Sequence, residues 1–146
     1  MDYLFQKLTQ THLDSVFLIA QESLKEAWSK ADYQTLLSHP QGENWGFFEG
    51  ETLVGFLLVL HIQNQADLIA VVVKKEKRGK GLGFLLLEEF KKRIKPESVF
   101  LEVDKDNIPA VRLYLKAGFQ VQGLRKKYYQ GTRDAWSMKW SAQSAL

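Results

Sequence analysis

The 146-residue sequence contains no cysteine, which excludes disulfide bonds, zinc sites built from cysteine and a cysteine nucleophile. Its longest fully apolar run covers only Leu68 to Val73, far short of the ~18–20 residues that a membrane-spanning helix needs. No basic segment followed by an apolar stretch opens the chain, so we expect no secretory signal peptide. The net charge is only +3, which argues against a nucleic-acid binder.

The sequence has the composition of one globular domain. Hydrophobic residues make up 45% of it and aromatic residues 12%, and neither a repeat nor a linker divides it, so we predict a single domain over 1–146. Apolar spacing and turn signals predict the element order β-α-α-β-β-β-α-β-α-β-β. A three-strand meander followed by two crossover helices implies an α/β (α+β) fold. We expect a mixed, mostly antiparallel sheet of about six to seven strands with helices on both faces.

Two capping boxes are predicted to begin the first two helices. Thr11–Asp14 has the spacing for the first helix, which the apolar positions then extend to about Lys25. Ser29–Asp32 has the same spacing, and Trp28 and Tyr33 on either side of it form a hydrophobic staple.

The sharpest local signal is a glycine-rich basic loop between a buried strand and an amphipathic helix. The strand, Leu68 to Val73, is apolar at every position, which is typical of a central strand, and the helix is predicted over Leu82 to Lys95. Glycines in Arg78–Gly83 let backbone N–H groups approach a ligand at the positive end of that helix. Five basic residues against one glutamate give Lys74–Lys80 a charge of +4. The pattern favours a pyrophosphate site over a solvated basic connector.

The same residues carry a resemblance to a known family. Arg78-Gly79-Lys80-Gly81-Leu82-Gly83 resembles the acetyl-CoA signature Gln/Arg-x-x-Gly-x-Gly/Ala of the GCN5-related N-acetyltransferases, the GNAT family. A second family motif is similar to Leu101-Glu102-Val103 followed by Asn107, Ala110, Leu113-Tyr114 and Gly118-Phe119. The predicted element order matches the family fold, so the resemblance covers nearly the whole chain. It implies an N-acetyltransferase with acetyl-CoA as co-substrate.

The resemblance also implies where acetyl-CoA binds. The backbone of Val71 to Val73 is expected to pair with the pantetheine arm, and one N–H group there to polarise the acetyl carbonyl. The residues expected to contact the cofactor are Val71, Val73, Arg78, Gly79, Lys80, Gly81, Leu82, Gly83 and Asn107. A helix cap alone would also explain Asn107. We expect no metal, because the three histidines are widely separated and lack ligand spacing.

Two residues are candidates for acid–base chemistry. Glu102 lies inside a predicted strand between two apolar neighbours that point to the opposite face, and a carboxylate is disfavoured there. The resemblance implies that Glu102 is the general base, although a solvent-facing strand residue would give the same pattern. It also implies that Tyr114 is the general acid for the CoA thiolate, whereas helical spacing alone would make Tyr114 a core residue.

A narrower resemblance, to the RimI-type branch of the family, concerns the acceptor. It is carried by Ala27-Trp28-Ser29, by Leu101-Glu102-Val103, by Arg125 to Tyr129 and by Asp134-Ala135 through Met138. It implies a cytoplasmic enzyme that acetylates the N-terminal α-amine of a protein or peptide, such as a small-subunit ribosomal protein.

In this reading Trp28, Tyr128 and Tyr129 line the substrate groove, while plain packing is their alternative role. Arg125–Lys127 is expected to be a solvated face. The alternative functions are a GNAT enzyme acting on a small amine or a lysine side chain, and a non-catalytic CoA sensor. We expect neither a nucleic-acid nor a membrane partner.

Overall fold

A computed structural model gives the order and bounds of the elements; it describes residues 2–23, 28–129, 131 and 133–142. The strands are β1 (Leu4–Lys7), β2 (Trp45–Glu49), β3 (Thr52–Ile62), β4 (Gln65–Val73), β5 (Ser98–Asp104), β6 (Gln120–Tyr129) and β7 (Arg133–Ser141). The helices are α1 (Leu13–Ser23), α2 (Lys30–Ser38), α3 (Leu82–Ile94) and α4 (Ile108–Lys116), with short 3-10 turns at Gln10–His12 and Lys75–Lys77. The predicted element order is confirmed, and the expected helix end near Lys25 lies outside the described residues.

The strands form one sheet in the order β1-β2-β3-β4-β5-β7-β6. The pair β4 and β5 is parallel and every other neighbouring pair is antiparallel. The predicted mixed, mostly antiparallel sheet is therefore confirmed. No helix in the described part of the chain has the length and apolar content to cross a bilayer.

Two hydrophobic cores lie on opposite faces of this sheet, as β3 shows by its alternation. Leu57 and Val59 pack with α3 and α4, whereas Phe56 and Leu58 pack with α1 and α2. All four side chains are fully buried. Burial of a side chain of this size contributes about 1.5–3 kcal/mol, so both faces need their helices.

The two central strands separate halfway along their length. β4 and β5 pair only where Gln65–Asp67 lies beside Ser98–Phe100, although both strands are described to their ends. β4 continues alone to Val73 and β5 to Asp104, so a cleft opens between them. The prediction of a central β4 is confirmed. The strand nevertheless begins earlier than the predicted Leu68, and its second half lacks a neighbour on the β5 side.

The first capping box differs from the prediction, while the second agrees with it. Thr9 caps the turn before α1: its hydroxyl accepts from the backbone N–H of Thr11 at 3.3 Å, and its own N–H donates to His12 Nδ1 at 2.9 Å. The assignment of Thr11 as the cap was wrong because an imidazole nitrogen replaces the usual carboxylate. Ser29 caps α2 as predicted, with the Ser29 N–H donating to Asp32 Oδ2 at 2.9 Å.

Candidate active site

The second half of β4 presents backbone groups to the cleft. The N–H of Lys74 donates to the Val54 carbonyl of β3 at 2.8 Å, and successive strand residues direct their backbone groups to alternate edges. Val71 and Val73 therefore direct their N–H and C=O groups away from β3, toward the cleft. An extended ligand arm could pair with these two residues in the place that β5 leaves empty.

A bulge in β4 accounts for the separation from β5. Leu58 of β3 faces Ala70, and Val59 faces Leu68, so Ile69 is an extra residue in β4. A bulge bends its strand and increases the local twist. The bulge lies two residues after Asp67, the last β4 residue that pairs with β5, and the strand therefore turns away near that point.

Two glycines with positive φ shape the loop that follows β4. Gly79 has φ 77° and Gly81 has φ 79°, and a Cβ built on either would meet nothing within 4 Å. Gly81 is the N-cap of α3, and its carbonyl accepts from the Leu85 N–H at 3.1 Å. The first-turn N–H groups of Leu82 and Gly83 have no carbonyl partner within the helix. Together with the helix dipole, N–H groups of this kind can bind an anion.

Gly83 has a second role in helix packing. A Cβ on Gly83 would lie 3.2 Å from Leu113 Cδ2, so the missing side chain lets α3 approach α4 closely. The same position faces Val71 Cγ1 at 4.0 Å. Gly83 therefore lets α3 pack closely against both α4 and Val71 of β4.

The Arg78 side chain donates hydrogen bonds to other residues of the chain. Its Nε donates to the Val73 carbonyl at 3.1 Å, and its Nη2 donates to the Ser23 hydroxyl at the end of α1. Arg78 thus fastens the glycine loop to β4 and α1, a structural role that the family signature alone does not indicate.

The lysines of the loop after β4 differ in their ion-pair partners and in their exposure. Lys77 Nζ lies 3.1 Å from a Glu49 carboxylate oxygen, and this hydrogen bond raises the pKa of Lys77. Lys74 Nζ lies 3.8 Å from Glu76. Lys80 is exposed between the two positive-φ glycines. Of these lysines, Lys80 is best placed to meet an anion at the start of α3.

Glu102 lies in β5, and its side chain points to the opposite face of the sheet from its two neighbours, as predicted. Leu101 and Val103 are buried in the core under α3 and α4, and Glu102 points to the opposite face with 25% of its side chain exposed. It faces Ser137 of β7 directly, and the Ser137 hydroxyl donates to Glu102 Oε2. Arg125 Nε of β6 lies 3.7 Å from the same oxygen. Glu102 is therefore a partly buried carboxylate with polar partners.

Sequence analysis did not identify Ser137 or Arg125 as part of the site. Arg125 was expected on a solvated face, and 58% of its side chain is indeed exposed. Its guanidinium also lies 5.5 Å from the centre of the Tyr128 ring, so it joins Tyr128 to Glu102. The pairing register of β5 with β7 and of β7 with β6 brings both residues next to Glu102, and it is the signal that could have identified them.

Tyr114 lies on the other face of the sheet from Glu102. α4 begins as predicted at Asn107, whose Oδ1 accepts from the Ala110 N–H at 3.3 Å. Tyr114 is buried in the core that α3 and α4 share, and its ring packs edge-on against Phe119 at 5.6 Å. The two candidate acid–base residues thus lie on opposite faces of the separated strands.

An aromatic group lies on the α1 and α2 face of the sheet, the face to which Glu102 also points. The Trp28 ring lies 5.4 Å from that of Tyr33, which confirms the predicted staple, and Phe17 lies 6.0 Å from Tyr33 on its other side. Burial, with a smaller contribution from Asp32, raises the pKa of Tyr33. Trp28 and Tyr128 are both exposed, and the Tyr129 side chain lies outside the described residues. Among described side chains no group of three or more His, Asp or Glu could hold a metal ion.

The cleft has strand-edge backbone groups of β4 along it, first-turn N–H groups of α3 at one end and the Glu102 carboxylate beside it, an arrangement that can hold an acyl donor on a phosphate-bearing carrier. Residues 13–119 match the model of the Acetyltransferase (GNAT) family. The chain belongs to this family and is an acetyl-CoA-dependent N-acetyltransferase. The family resemblance seen in the sequence is therefore confirmed.

Several proteins of known name are similar to this chain. The chain is 31% identical to the N-alpha-acetyltransferase RimI of Mycobacterium tuberculosis, over 78% of this chain and 75% of that protein. It is 30% identical to the putative [ribosomal protein bS18]-alanine N-acetyltransferase of Bacillus subtilis, over 88% and 87%. The crystal structure of the ribosomal-protein-S18-alanine N-acetyltransferase from Escherichia coli superposes with a TM-score of 0.89 at 23% identity, covering 96% of this chain and 94% of that one. That structure shares the fold.

Proposed function

We propose that this enzyme transfers the acetyl group of acetyl-CoA to the N-terminal α-amine of a protein, and that the acceptor is a small-subunit ribosomal protein in the cytoplasm. The names of the relatives at 30–31% identity support this acceptor. The observation that carries the proposal is the placement of Glu102 and Tyr114 on opposite faces of the strands that border the cleft. An amine can then approach from one face while the thiol leaves from the other.

The β4 edge and the glycine loop would hold the acetyl-CoA co-substrate. The pyrophosphate fits the open N–H groups at Gly81 to Gly83, with Lys80 beside them. The pantetheine arm fits the cleft edge of Val71 and Val73. An N–H group of this edge would then polarise the acetyl carbonyl, and one such preorganised donor contributes about 3 kcal/mol to catalysis.

The reaction needs one proton acceptor and one proton donor, and Glu102 and Tyr114 are proposed for these two roles. The amine nitrogen forms a bond to the acetyl carbon as the bond from that carbon to sulfur breaks. Glu102 accepts the proton that the amine loses, directly or through water. Tyr114 donates a proton to the CoA thiolate. A phenol near pKa ~10 and a thiol near ~8.5 make this second transfer uphill by only ~2 kcal/mol.

The base available favours an α-amine over a lysine. An α-amine has a pKa near ~7.7–8.0 and a lysine near ~10.4, so neutralising the lysine costs about 3.5 kcal/mol more at a given pH. Glu102 is a single carboxylate, because Asp104 on the same face is paired with Arg133 at 2.6 Å. A single carboxylate base therefore deprotonates an α-amine more readily than a lysine side chain.

Turnover with a panel of acceptors tests the proposal. The N-terminal peptide of a bacterial ribosomal protein bS18, beginning with alanine, is compared with the same peptide carrying a blocked α-amine and with spermidine as a small amine. We expect CoA release with the free peptide, little with the blocked one, and a loss of ~10²–10⁴-fold in turnover for Glu102→Gln. Turnover confined to spermidine would contradict the proposed acceptor.

A further inference from the structure

One oxygen of the Glu102 carboxylate meets donors from both neighbouring strands. The Ser137 hydroxyl of β7 donates to Oε2, and Arg125 Nε of β6 lies 3.7 Å from that same atom. Within the described part of the chain, Oε1 accepts no hydrogen bond. Among the described side chains, the carboxylate is therefore held through Oε2 alone.

The strand register explains how two distant residues reach Glu102. Ser137 lies directly opposite Glu102 in the β5–β7 pair, and it lies opposite Gly123 in the β7–β6 pair. Because Gly123 has no side chain, the Arg125 side chain can extend across β7 toward the carboxylate. The Tyr128 ring, 5.5 Å from the guanidinium carbon, supports Arg125 from the other side.

Neighbouring charges on this face have contacts of their own. Asp104 Oδ2 lies 2.6 Å from Arg133 Nε, and its Oδ1 accepts from the Asp106 N–H at 2.9 Å. Lys139 Nζ lies over the Phe100 ring at 5.3 Å. Among the charged side chains that the structure describes on this face, Arg125 is thus the cation that pairs with Glu102.

We propose that Ser137 and Arg125 are positioning residues that hold Glu102 with Oε1 turned toward the acceptor amine, an inference that rests on the proposed role of Glu102 as the base. A general base must bring one oxygen within about 2.6–3.2 Å of the proton it takes. A carboxylate on a flexible glutamate stem loses that alignment when it rotates. A charge-assisted bond from Ser137 to Oε2 removes the rotation, and the Arg125 charge reinforces it.

The test combines single variants with a double-mutant cycle in the full-length enzyme. Ser137→Ala should lower kcat roughly tenfold, in line with the loss of one hydrogen bond to a charged group, with the KM for acetyl-CoA unchanged. Ser137→Thr keeps the hydroxyl and should restore most of kcat. Arg125→Gln should cost less, about threefold, because its side chain is 58% exposed.

The cycle separates positioning from a merely structural role. In the Glu102→Gln background, Ser137→Ala should cause little further loss, because the group that it positions can no longer accept a proton. Ser141→Ala, at the far end of β7, and Lys126→Gln, beside Arg125, are matched controls that should keep wild-type kcat. Thermal unfolding of every variant reports whether the fold is retained.

The outcomes distinguish this inference from the proposed function. A full tenfold loss for Ser137→Ala on top of Glu102→Gln, or wild-type kcat in the single Ser137→Ala variant, would overturn the positioning role and leave the base assignment standing. Wild-type turnover in Glu102→Gln would overturn the base assignment and the positioning role together. Failure of the wild-type enzyme to acetylate any peptide α-amine would contradict the proposed function itself.

Discussion

Arg78 donates a hydrogen bond from Nε to the backbone carbonyl of Val73 at 3.1 Å, which ties the glycine loop to the strand that precedes it. The Val73 carbonyl points into the cleft, so this bond fixes the loop relative to the edge proposed for the pantetheine arm. The second bond, to Ser23, adds α1 to the same support. The arginine therefore sets the distance between the two parts of the proposed cofactor site.

Replacing Gly81 tests the anion site at the start of α3. A valine there would be strained at φ 79°, and its side chain would extend into the open space in front of the loop, where the pyrophosphate is proposed to lie. We expect Gly81→Val to weaken acetyl-CoA binding by at least about tenfold, which corresponds to roughly 1.4 kcal/mol, in a calorimetric titration. Gly50→Val is the matched control, because Gly50 has φ 61° and open space in the β2–β3 turn. Equal affinity in a folded Gly81→Val protein would refute the assignment.

The phenol of Tyr114 is tested by Tyr114→Phe. This change keeps the ring that packs against Phe119 and removes the proton proposed for the thiolate. We expect kcat to fall about 10²-fold while the affinity for acetyl-CoA stays close to that of the wild type. Steady-state kinetics and calorimetry on the same preparation measure both quantities. A wild-type kcat would leave Tyr114 as a core residue only.

Trp28→Ala tests the peptide groove. The Trp28 side chain is 37% exposed beside Tyr33, on the Glu102 face of the sheet. We expect the KM for the peptide to rise about fivefold or more, as for an aromatic anchor, with the KM for acetyl-CoA unchanged. Leu4→Ala, which removes an exposed apolar side chain from the edge strand β1, is the control. A parallel rise in both KM values would indicate a general packing defect.

The pKa shift of Tyr33 predicts a pH dependence of stability. Burial, with Asp32, raises its pKa above the ordinary value of 10.0 in the folded state. The neutral phenol is favoured on folding, so this contribution is fully present below about pH 10 and is lost as the pH rises through the folded-state pKa. Urea unfolding from pH 8 upward should show a steeper decline above pH ~10 for the wild type than for Tyr33→Phe. Parallel declines would show that Tyr33 does not contribute.

Local patterns in the sequence predicted most of the fold. The staple of Trp28 with Tyr33 and the cap at Asn107 follow from spacings of a few residues, and the structure reproduces both. The isolated carboxylate at Glu102 was predicted in the same way, from its two apolar neighbours. The cap at Thr9 was missed because its partner is the His12 imidazole, whereas the usual capping box has Glu or Gln at that position.

The rest of the site depends on strand register, which no local pattern determines. Ser137 is 35 residues from Glu102 in the sequence and opposite it in the sheet. Shifting the pairing of β7 by one residue would turn Ser137 to the other face. The contact of Arg125 with Glu102 depends on two such registers. The Arg78 bond to Val73 likewise depends on the path of a loop that the family signature does not specify.

The central claim is that the acceptor is an α-amine, and a competition within one peptide tests it most directly. The peptide carries a free α-amine and one internal lysine, is incubated with acetyl-CoA and the wild-type enzyme, and is fragmented in a mass spectrometer to locate the acetyl group. We predict acetylation almost entirely at the N-terminus, because neutralising the lysine costs about 3.5 kcal/mol more. Acetylation mainly on the lysine side chain would contradict the proposed acceptor while leaving the family assignment intact.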